Sequence, residues 1–140
     1  MQVAICDDDV TDRVKVGELL AQKMRKRGES LEITYFDCGE DLVDQFESGE
    51  GRYDLIFLDV NMPGLDGIEL GERIRQELGL AEVQIAYISG SAGYAMALYD
   101  NYPLRFLTKD DKLTLANVRD VLLRAEQLTK NGREKLAFIK

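Results

Sequence analysis

The sequence of 140 residues contains no histidine and no tryptophan, and it has only two prolines and two cysteines. Without histidine, metal centres with imidazole ligands and catalytic triads with an imidazole base are excluded. Cys6 and Cys38 are too few and too isolated to form a disulfide framework. We therefore expect the reducing cytoplasm as the compartment of this protein, and Cys6 as a residue of its core.

Basic residues are also scarce, because the sequence has 18 Lys and Arg and 26 Asp and Glu, which gives a net charge of −8. This balance argues against direct binding to DNA or to an anionic membrane, since phosphate contacts need clustered Lys and Arg. The sequence lacks an apolar run near the roughly 20 residues of a membrane span. Its first nine residues, MQVAICDDD, lack the basic region of a signal peptide.

Strand and helix patterns alternate regularly along the chain. Apolar runs at 3–6, 31–36, 54–58, 83–88 and 104–107 indicate strands, and amphipathic stretches at 11–28, 40–47, 68–78, 92–100 and 113–128 indicate helices. Strict alternation predicts an α/β fold of the (βα)5 type, doubly wound and flavodoxin-like, with a five-stranded parallel sheet and helices on both faces.

The end of the chain has a different pattern. We assign residues 1–128 to the domain and 129–140 to a linker, in which Asn131-Gly132 is a turn signal. Leu136 and Phe138 then alternate with polar or small neighbours like the start of a strand. Two interpretations stay open, namely the beginning of a second domain absent from this chain and a disordered tail.

Polar residues follow four of the predicted strands. They are Asp7–Asp9 after the first, Asp59 after the third, Ser89 after the fourth and, one residue on, Lys109 after the fifth. Because the carboxyl ends of parallel strands meet at one sheet edge, we expect one cleft that holds all of them. A divalent cation such as Mg²⁺, which prefers oxygen ligands, would relieve the repulsion between the carboxylates.

This set of groups suits phosphoryl transfer, which needs positioned charge more than it needs acid–base chemistry. Asp59 would be the nucleophile that forms an acyl phosphate, with Lys109 and Ser89 at the phosphoryl oxygens. Each residue alone has a simpler explanation, such as Asp9 as a helix cap and Lys109 as a solvated charge. Their joint placement favours the chemical interpretation.

Four segments resemble the receiver domain of response regulators, over residues 1–128. They are Ile5–Asp9, Leu55–Gly67, Tyr87–Ser89 and Phe106–Lys109, and the second is the most specific. The resemblance implies a phosphoacceptor that takes a phosphoryl group from a sensor histidine kinase with Mg²⁺ (or Mn²⁺). It also implies that the domain is no enzyme beyond its own phosphorylation and dephosphorylation.

The resemblance implies the residues of the metal and phosphorylation site. Asp59 is the phosphorylated residue. Asp8 binds the metal directly, Asp7 acts through water, and Asn61 gives its backbone carbonyl.

The resemblance further implies a switch. Ser89 takes the hydroxyl position, Lys109 the phosphate contact, and Phe106 the aromatic position that rotates between states. Asn61 and Ser91 lie where the family tunes the lifetime of the phosphoryl group. The fourth helix, fifth strand and fifth helix then change shape, and the apolar fourth helix predicts a homodimer through that surface.

A finer resemblance is to receivers that precede LytTR-type DNA-binding domains. It depends on Ala4–Asp9, Gly93–Ala95 and Phe106-Leu107. It implies that residues 133–140 begin such an output domain, so that any contact with DNA is made through that absent domain and the full protein regulates transcription.

The sequence departs from the family after Lys109, where Asp110 replaces the usual proline. A cis bond before a residue other than proline costs ~3–4 kcal/mol, against ~0.5–1 kcal/mol before proline. We therefore expect a trans Lys109–Asp110 bond, and the reach of Lys109 stays open.

Two other functions compete with the receiver. Asp7 and Asp9 fit the first motif of haloacid-dehalogenase-type phosphatases, as nucleophile and acid/base, with Ser89 and Lys109 in later motifs. That alternative leaves the segment after Asp59 unexplained. The other alternative is a receiver-like module that binds a partner and is never phosphorylated, which the missing proline favours and the intact carboxylates oppose.

Overall fold

The computed structural model describes residues 1–27, 31–49, 52–77, 83–89, 105–108 and 117–128. In chain order its elements are β1 (Gln2–Cys6), α1 (Val10–Arg27), β2 (Glu32–Phe36), α2 (Gly39–Ser48), β3 (Leu55–Asp59), α3 (Gly67–Glu72), β4 (Gln84–Ser89) and β5 (Arg105–Thr108). A π-helical turn, Arg73–Glu77, continues α3. Residues 117–128 are helical and are called the C-terminal helix below. The predicted helix at 92–100 and the segment 129–140 lie outside the described residues.

The five strands form one sheet in the order β2-β1-β3-β4-β5. All four neighbouring pairs are parallel, so the predicted doubly wound, flavodoxin-like fold is confirmed. The order reverses between β1 and β3, since the chain goes to one side of β1 for β2 and to the other side for β3. A crevice forms at such a reversal, beyond the carboxyl ends of the two strands.

Alternate residues of the central strands face opposite sides of the sheet and build two apolar layers. The layer against α1 and the C-terminal helix contains Val3, Ile5, Leu55, Phe57, Val16, Leu20, Val121 and Leu122. The layer against α2 and α3 contains Ala4, Cys6, Ile56, Leu58, Leu42, Val43, Leu70 and Ile74. Burying one large aliphatic or aromatic side chain contributes about 1.5–3 kcal/mol, so both layers hold the strand ends in place.

Asp59 and Ser89 lie within β3 and β4, whereas the sequence pattern placed each just after its strand. Asp59 pairs with Ile88, and Ser89 pairs with Thr108. The β3–β4 ladder continues past Asp59, because the Val60 N–H donates to the Ile88 carbonyl at 2.9 Å. Both polar side chains are therefore held by sheet backbone. The π-helical turn after α3 was also not predicted.

Among the helices that the structure describes, none has the length and apolar character needed to cross a membrane. Cys6 is buried, as predicted, and both cysteines are free thiols.

Candidate functional site

Three carboxylates meet at the carboxyl ends of β1 and β3. Asp7, Asp8 and Asp59 each offer an oxygen atom, and these atoms lie within 4.8 Å of one another. Asp7 and Asp59 are only 2% and 1% exposed, while Asp8 is open to solvent. This cluster of two buried acids and one exposed acid is called the acidic pocket below.

The end of β1 and the first turn of α1 fix Asp7. Its N–H donates to the Phe36 carbonyl at 3.0 Å, which continues the β1–β2 ladder. Its Oδ1 accepts the Asp9 N–H at 2.9 Å, and its carbonyl accepts Nη1 of Arg13 at 2.7 Å. The carboxylate is therefore oriented by the backbone of the first turn of α1, and the Asp7 backbone is held by β2 and Arg13.

Asp9 has a different part in the same turn. Its Oδ1 accepts the Asp12 N–H at 3.1 Å, which makes it the N-cap of α1. Its carboxylate is thus committed to the helix terminus, as the simpler explanation of the acidic triplet expects.

Asp59 is fixed by its own loop and by α3. Its Oδ1 accepts the Asn61 N–H at 3.1 Å. The Gly67 N–H donates to the Val60 carbonyl at 3.0 Å, so the loop closes on itself beside the strand. A Cβ at Gly67 would collide with the Asp59 carbonyl oxygen, so only glycine permits this close approach. Gly67 has a packing role that the sequence analysis did not assign, although its motif contained it.

Cys6 packs against the loop that follows Asp59. Its Sγ lies 3.8 Å from Sδ of Met62 and 3.5 Å from the Cys38 carbonyl oxygen. Burial raises the pKa of the Cys6 thiol, and the charges of Cys38 and Asp7 raise it further. Cys6 is therefore a neutral, buried thiol that packs against this loop.

The other predicted site residues divide between described and undescribed parts of the chain. Ser89 is fully buried at the end of β4, in the strand next to that of Asp59. The backbone of Phe106 pairs with Tyr87, and its side chain is not described. Lys109 and Ser91 lie outside the described residues, as does the Lys109–Asp110 bond.

The donor set at the acidic pocket fits a hard divalent cation. It consists of carboxylate oxygens, and Mg²⁺ in proteins is held by one or two carboxylates together with waters and phosphate oxygens. Of these carboxylates, Asp8 is exposed to solvent and Asp59 is buried.

Two curated proteins are similar to this chain along most of its length. The transcriptional activator protein PfeR of Pseudomonas aeruginosa is 28% identical over 134 residues, which are 92% of this chain and 43% of PfeR. The sensory transduction protein LytT of Oceanobacillus iheyensis is 24% identical over 109 residues, which are 78% of this chain and 42% of LytT. The chain thus spans less than half the length of either relative.

A solved structure has the same fold. The response regulator TrrA of Thermotoga maritima, in complex with Mg²⁺-BeF, superposes with a TM-score of 0.68 at 23% identity, over 89% of this chain and 97% of TrrA. Residues 3–122 match the family described as the response regulator receiver domain. This chain, with its parallel sheet and its carboxylates at the β1/β3 crevice, belongs to the response regulator receiver domain family.

Proposed function

We propose that this domain takes a phosphoryl group from a sensor histidine kinase onto Asp59, with Mg²⁺ or Mn²⁺ bound at the acidic pocket. The observation that carries the proposal is the meeting of Asp59 with Asp7 and Asp8 within 4.8 Å. Asp59 is buried at the end of β3, and it lies where the sheet order reverses.

The chemical step forms a bond between a carboxylate oxygen of Asp59 and phosphorus, while the bond from phosphorus to the donor nitrogen breaks. The product is an acyl phosphate, and water later displaces the aspartate to return free carboxylate and inorganic phosphate. The hydrogen bond from the Asn61 N–H fixes the rotation of the Asp59 carboxylate. A fixed nucleophile reduces the entropy that must be lost to reach the transition state.

The metal site would be held by Asp8, Asp59 and the Asn61 carbonyl, with Asp7 acting through water. When bound, the cation offsets the charge of the carboxylates and of the incoming phosphoryl oxygens. Asp7 supports that arrangement because it is buried and its carboxylate is oriented by the Asp9 N–H.

Residues on the β4 and β5 side of the cleft would contact the phosphoryl group. Ser89 is the proposed hydroxyl donor, Lys109 the proposed ammonium contact, and Phe106 the proposed rotating aromatic. Phosphorylation adds about −1.5 to −2 charges with new acceptor oxygens, which would draw Ser89 and the segment after it inward. Ser91 and Asn61 remain the proposed positions that tune the lifetime.

The output is proposed to be transcriptional. PfeR is a transcriptional activator, and LytT is a sensory transduction protein. We propose that residues 129–140 lead to a LytTR-like DNA-binding domain, that DNA is contacted through that domain, and that the protein works in the cytoplasm. A homodimer through the fourth helix, β5 and the C-terminal helix is supported by Leu123 and Leu128, which are 37% and 43% exposed.

The capping role of Asp9 favours the receiver over the phosphatase. In the phosphatase Asp9 must exchange protons with a leaving group, but its carboxylate accepts the Asp12 N–H at the start of α1. The phosphatase also gives no role to Asp59, which the pocket holds beside Asp7 and Asp8.

Labelling with acetyl phosphate separates the three functions. We expect a Mg²⁺-dependent acyl phosphate on Asp59, located by mass spectrometry of peptides, and its loss in Asp59→Asn. Sustained hydrolysis that is abolished in Asp7→Asn and kept in Asp59→Asn would support the phosphatase. A chain that neither binds Mg²⁺ at millimolar concentration nor is labelled would be the inert module.

A further inference from the structure

The loop between β3 and α3, residues 60–66, has anchors at both of its ends. The Asn61 N–H donates to Asp59 at the start, and the Gly67 N–H returns to the Val60 carbonyl at the end. The middle of the loop contains Gly64, whose φ is 74°. Glycine has no Cβ to restrict its backbone, so a contact from outside the loop can decide where its middle lies.

That contact comes from the first turn of α2. Oε1 of Glu40 accepts the Leu65 N–H at 2.8 Å, across 25 positions of sequence. A Cβ at Gly64 would lie 2.8 Å from the same oxygen, and a Cβ at Gly39 would lie 3.0 Å from the Leu65 carbonyl oxygen. The start of α2 therefore lies against both the N–H and the carbonyl of Leu65.

Glu40 stands on an element that is itself held firmly. Leu42 and Val43, two and three residues further along α2, are buried in the layer that also contains Leu58 and Leu70. The Leu65 N–H lowers the pKa of the exposed Glu40 carboxyl, so the acceptor is ionised near neutral pH. Hydrogen bonds to an ionised acceptor are roughly twice as strong as neutral ones.

We infer that Glu40 is a positioning residue for phosphorylation, since its carboxylate holds the loop that carries the Asn61 carbonyl and closes on Asp59. This inference rests on the proposed function and goes beyond it, because Glu40 touches neither the phosphoryl group nor the metal. Release of Leu65 lets the middle of the loop move, and the Asn61 backbone, four residues away, moves with it.

The test compares variants of Glu40 with a control on the same helix. Glu40→Ala removes the acceptor, Glu40→Gln keeps an acceptor oxygen without the charge, and Glu40→Asp keeps the charge on a shorter side chain. The control is Glu47→Ala, which breaks the exposed ion pair of Glu47 with Arg73 (3.2 Å) away from the loop. Each variant is measured for Mg²⁺ affinity by calorimetric titration and for the rate of labelling by acetyl phosphate, well below its melting temperature.

We expect Glu40→Ala to lower both the labelling rate and the Mg²⁺ affinity by roughly 10-fold, the scale seen when a group that orients metal ligands is removed. Glu40→Gln should stay within about 3-fold of the wild type because the acceptor oxygen remains, and Glu47→Ala should match the wild type. A merely structural role of Glu40 would lower the melting temperature and leave the rate and affinity of the folded protein unchanged.

Two results would overturn the inference. The first is a labelling rate of Glu40→Ala equal to that of Glu47→Ala. The second is a labelling rate of Glu40→Gln as low as that of Glu40→Ala. If Glu40→Ala does not fold, Glu40→Asp takes its place. A labelling rate of Glu40→Asp equal to that of the wild type overturns the inference, and a labelling rate below that of Glu40→Gln supports it. Failure of the wild type to be labelled at Asp59 would instead remove the proposed function itself.

Discussion

Asp7 at the end of β1 and Asp59 at the end of β3 are both buried, but different parts of the chain hold them. The Asp7 carboxylate accepts the Asp9 N–H and its carbonyl accepts Arg13, both within six residues of it. The loop of Asp59 depends on α2, 25 positions away in sequence, and on β4. The Asp7 carboxylate is thus oriented locally at the start of α1, although its backbone N–H bonds to Phe36 of β2. The loop after Asp59 is oriented by a side chain from a distant helix.

This difference predicts that the β3 end is more easily broken than the β1 end. A local turn forms with the helix that it begins, whereas long-range contacts form only when several elements are already packed. Changes near Asp59 should therefore disturb stability and phosphorylation together, and changes in the first turn of α1 should mostly disturb stability.

The largest effect is expected from Gly67→Ala. The added Cβ would collide with the Asp59 carbonyl oxygen and approach the Val60 Cα, and backbone cannot yield as a flexible side chain can. We expect a loss of about 3 kcal/mol in the free energy of unfolding, measured by urea denaturation. The control is Gly49→Ala at a φ of 77° with open space around it, where conformational strain alone should cost about 1–2 kcal/mol. Equal losses in the two variants would contradict the close approach.

Asp59→Asn should have the opposite effect on stability when no divalent cation is present. Removal of one charge relieves its repulsion with Asp7 and Asp8, so the free energy of unfolding should rise by about 1–2 kcal/mol. Addition of millimolar Mg²⁺ should stabilise the wild type and so reduce the difference in the free energy of unfolding between the wild type and Asp59→Asn. Thermal unfolding with and without Mg²⁺ checks this, and a wild type more stable than Asp59→Asn in the absence of Mg²⁺ would count against a repulsive cluster.

Asp9→Ala tests the β1 end. Loss of the cap on the Asp12 N–H should cost about 1 kcal/mol of stability, while labelling of Asp59 in the folded protein should persist. Asp66→Ala is the matched variant at the β3 end, because Asp66 caps α3 through the Glu69 N–H at 2.9 Å. Its cost in stability should be similar, but it should also slow labelling. Equal labelling rates in the two variants would contradict the proposed difference between the β1 end and the β3 end.

The smallest effect is the pH dependence of the Glu40 contact. The Leu65 N–H lowers the pKa of Glu40 in the folded state, so the folded protein binds fewer protons there than the unfolded chain. The stabilisation is therefore complete above the ordinary pKa of glutamate and is lost as the pH falls through the lowered value. The difference in stability between the wild type and Glu40→Gln should shrink over that acidic range in chemical denaturation. A constant difference would show that the carboxylate charge is not involved.

The sequence predicted the fold and the cluster of acids because both follow from simple periodicity. Alternating apolar runs and amphipathic stretches gave the order of the strands and helices, and Asp7, Asp8 and Asp59 were expected together from the parallel sheet alone. The ends of β3 and β4 were each placed one residue early, since Asp59 and Ser89 are polar but are included in the backbone pairing of their strands.

The contacts between distant elements could not be predicted in the same way. In the sequence, Glu40 looks like an ordinary exposed acid in the first turn of a helix. Only the packing of α2 brings its carboxylate to the Leu65 N–H. Gly67 was part of the most specific motif, yet the reason for glycine there is its contact with the Asp59 backbone. Nothing in the sequence predicted the hydrogen bond that Arg13 donates to the Asp7 carbonyl.

The most direct test of the central claim is the position of phosphate after treatment of the intact chain with acetyl phosphate. We predict a single added phosphoryl group in the presence of Mg²⁺, located on Asp59, absent with EDTA and absent in Asp59→Asn. A phosphoryl group found on Asp7, or a chain that stays unlabelled while it binds Mg²⁺, would contradict this account.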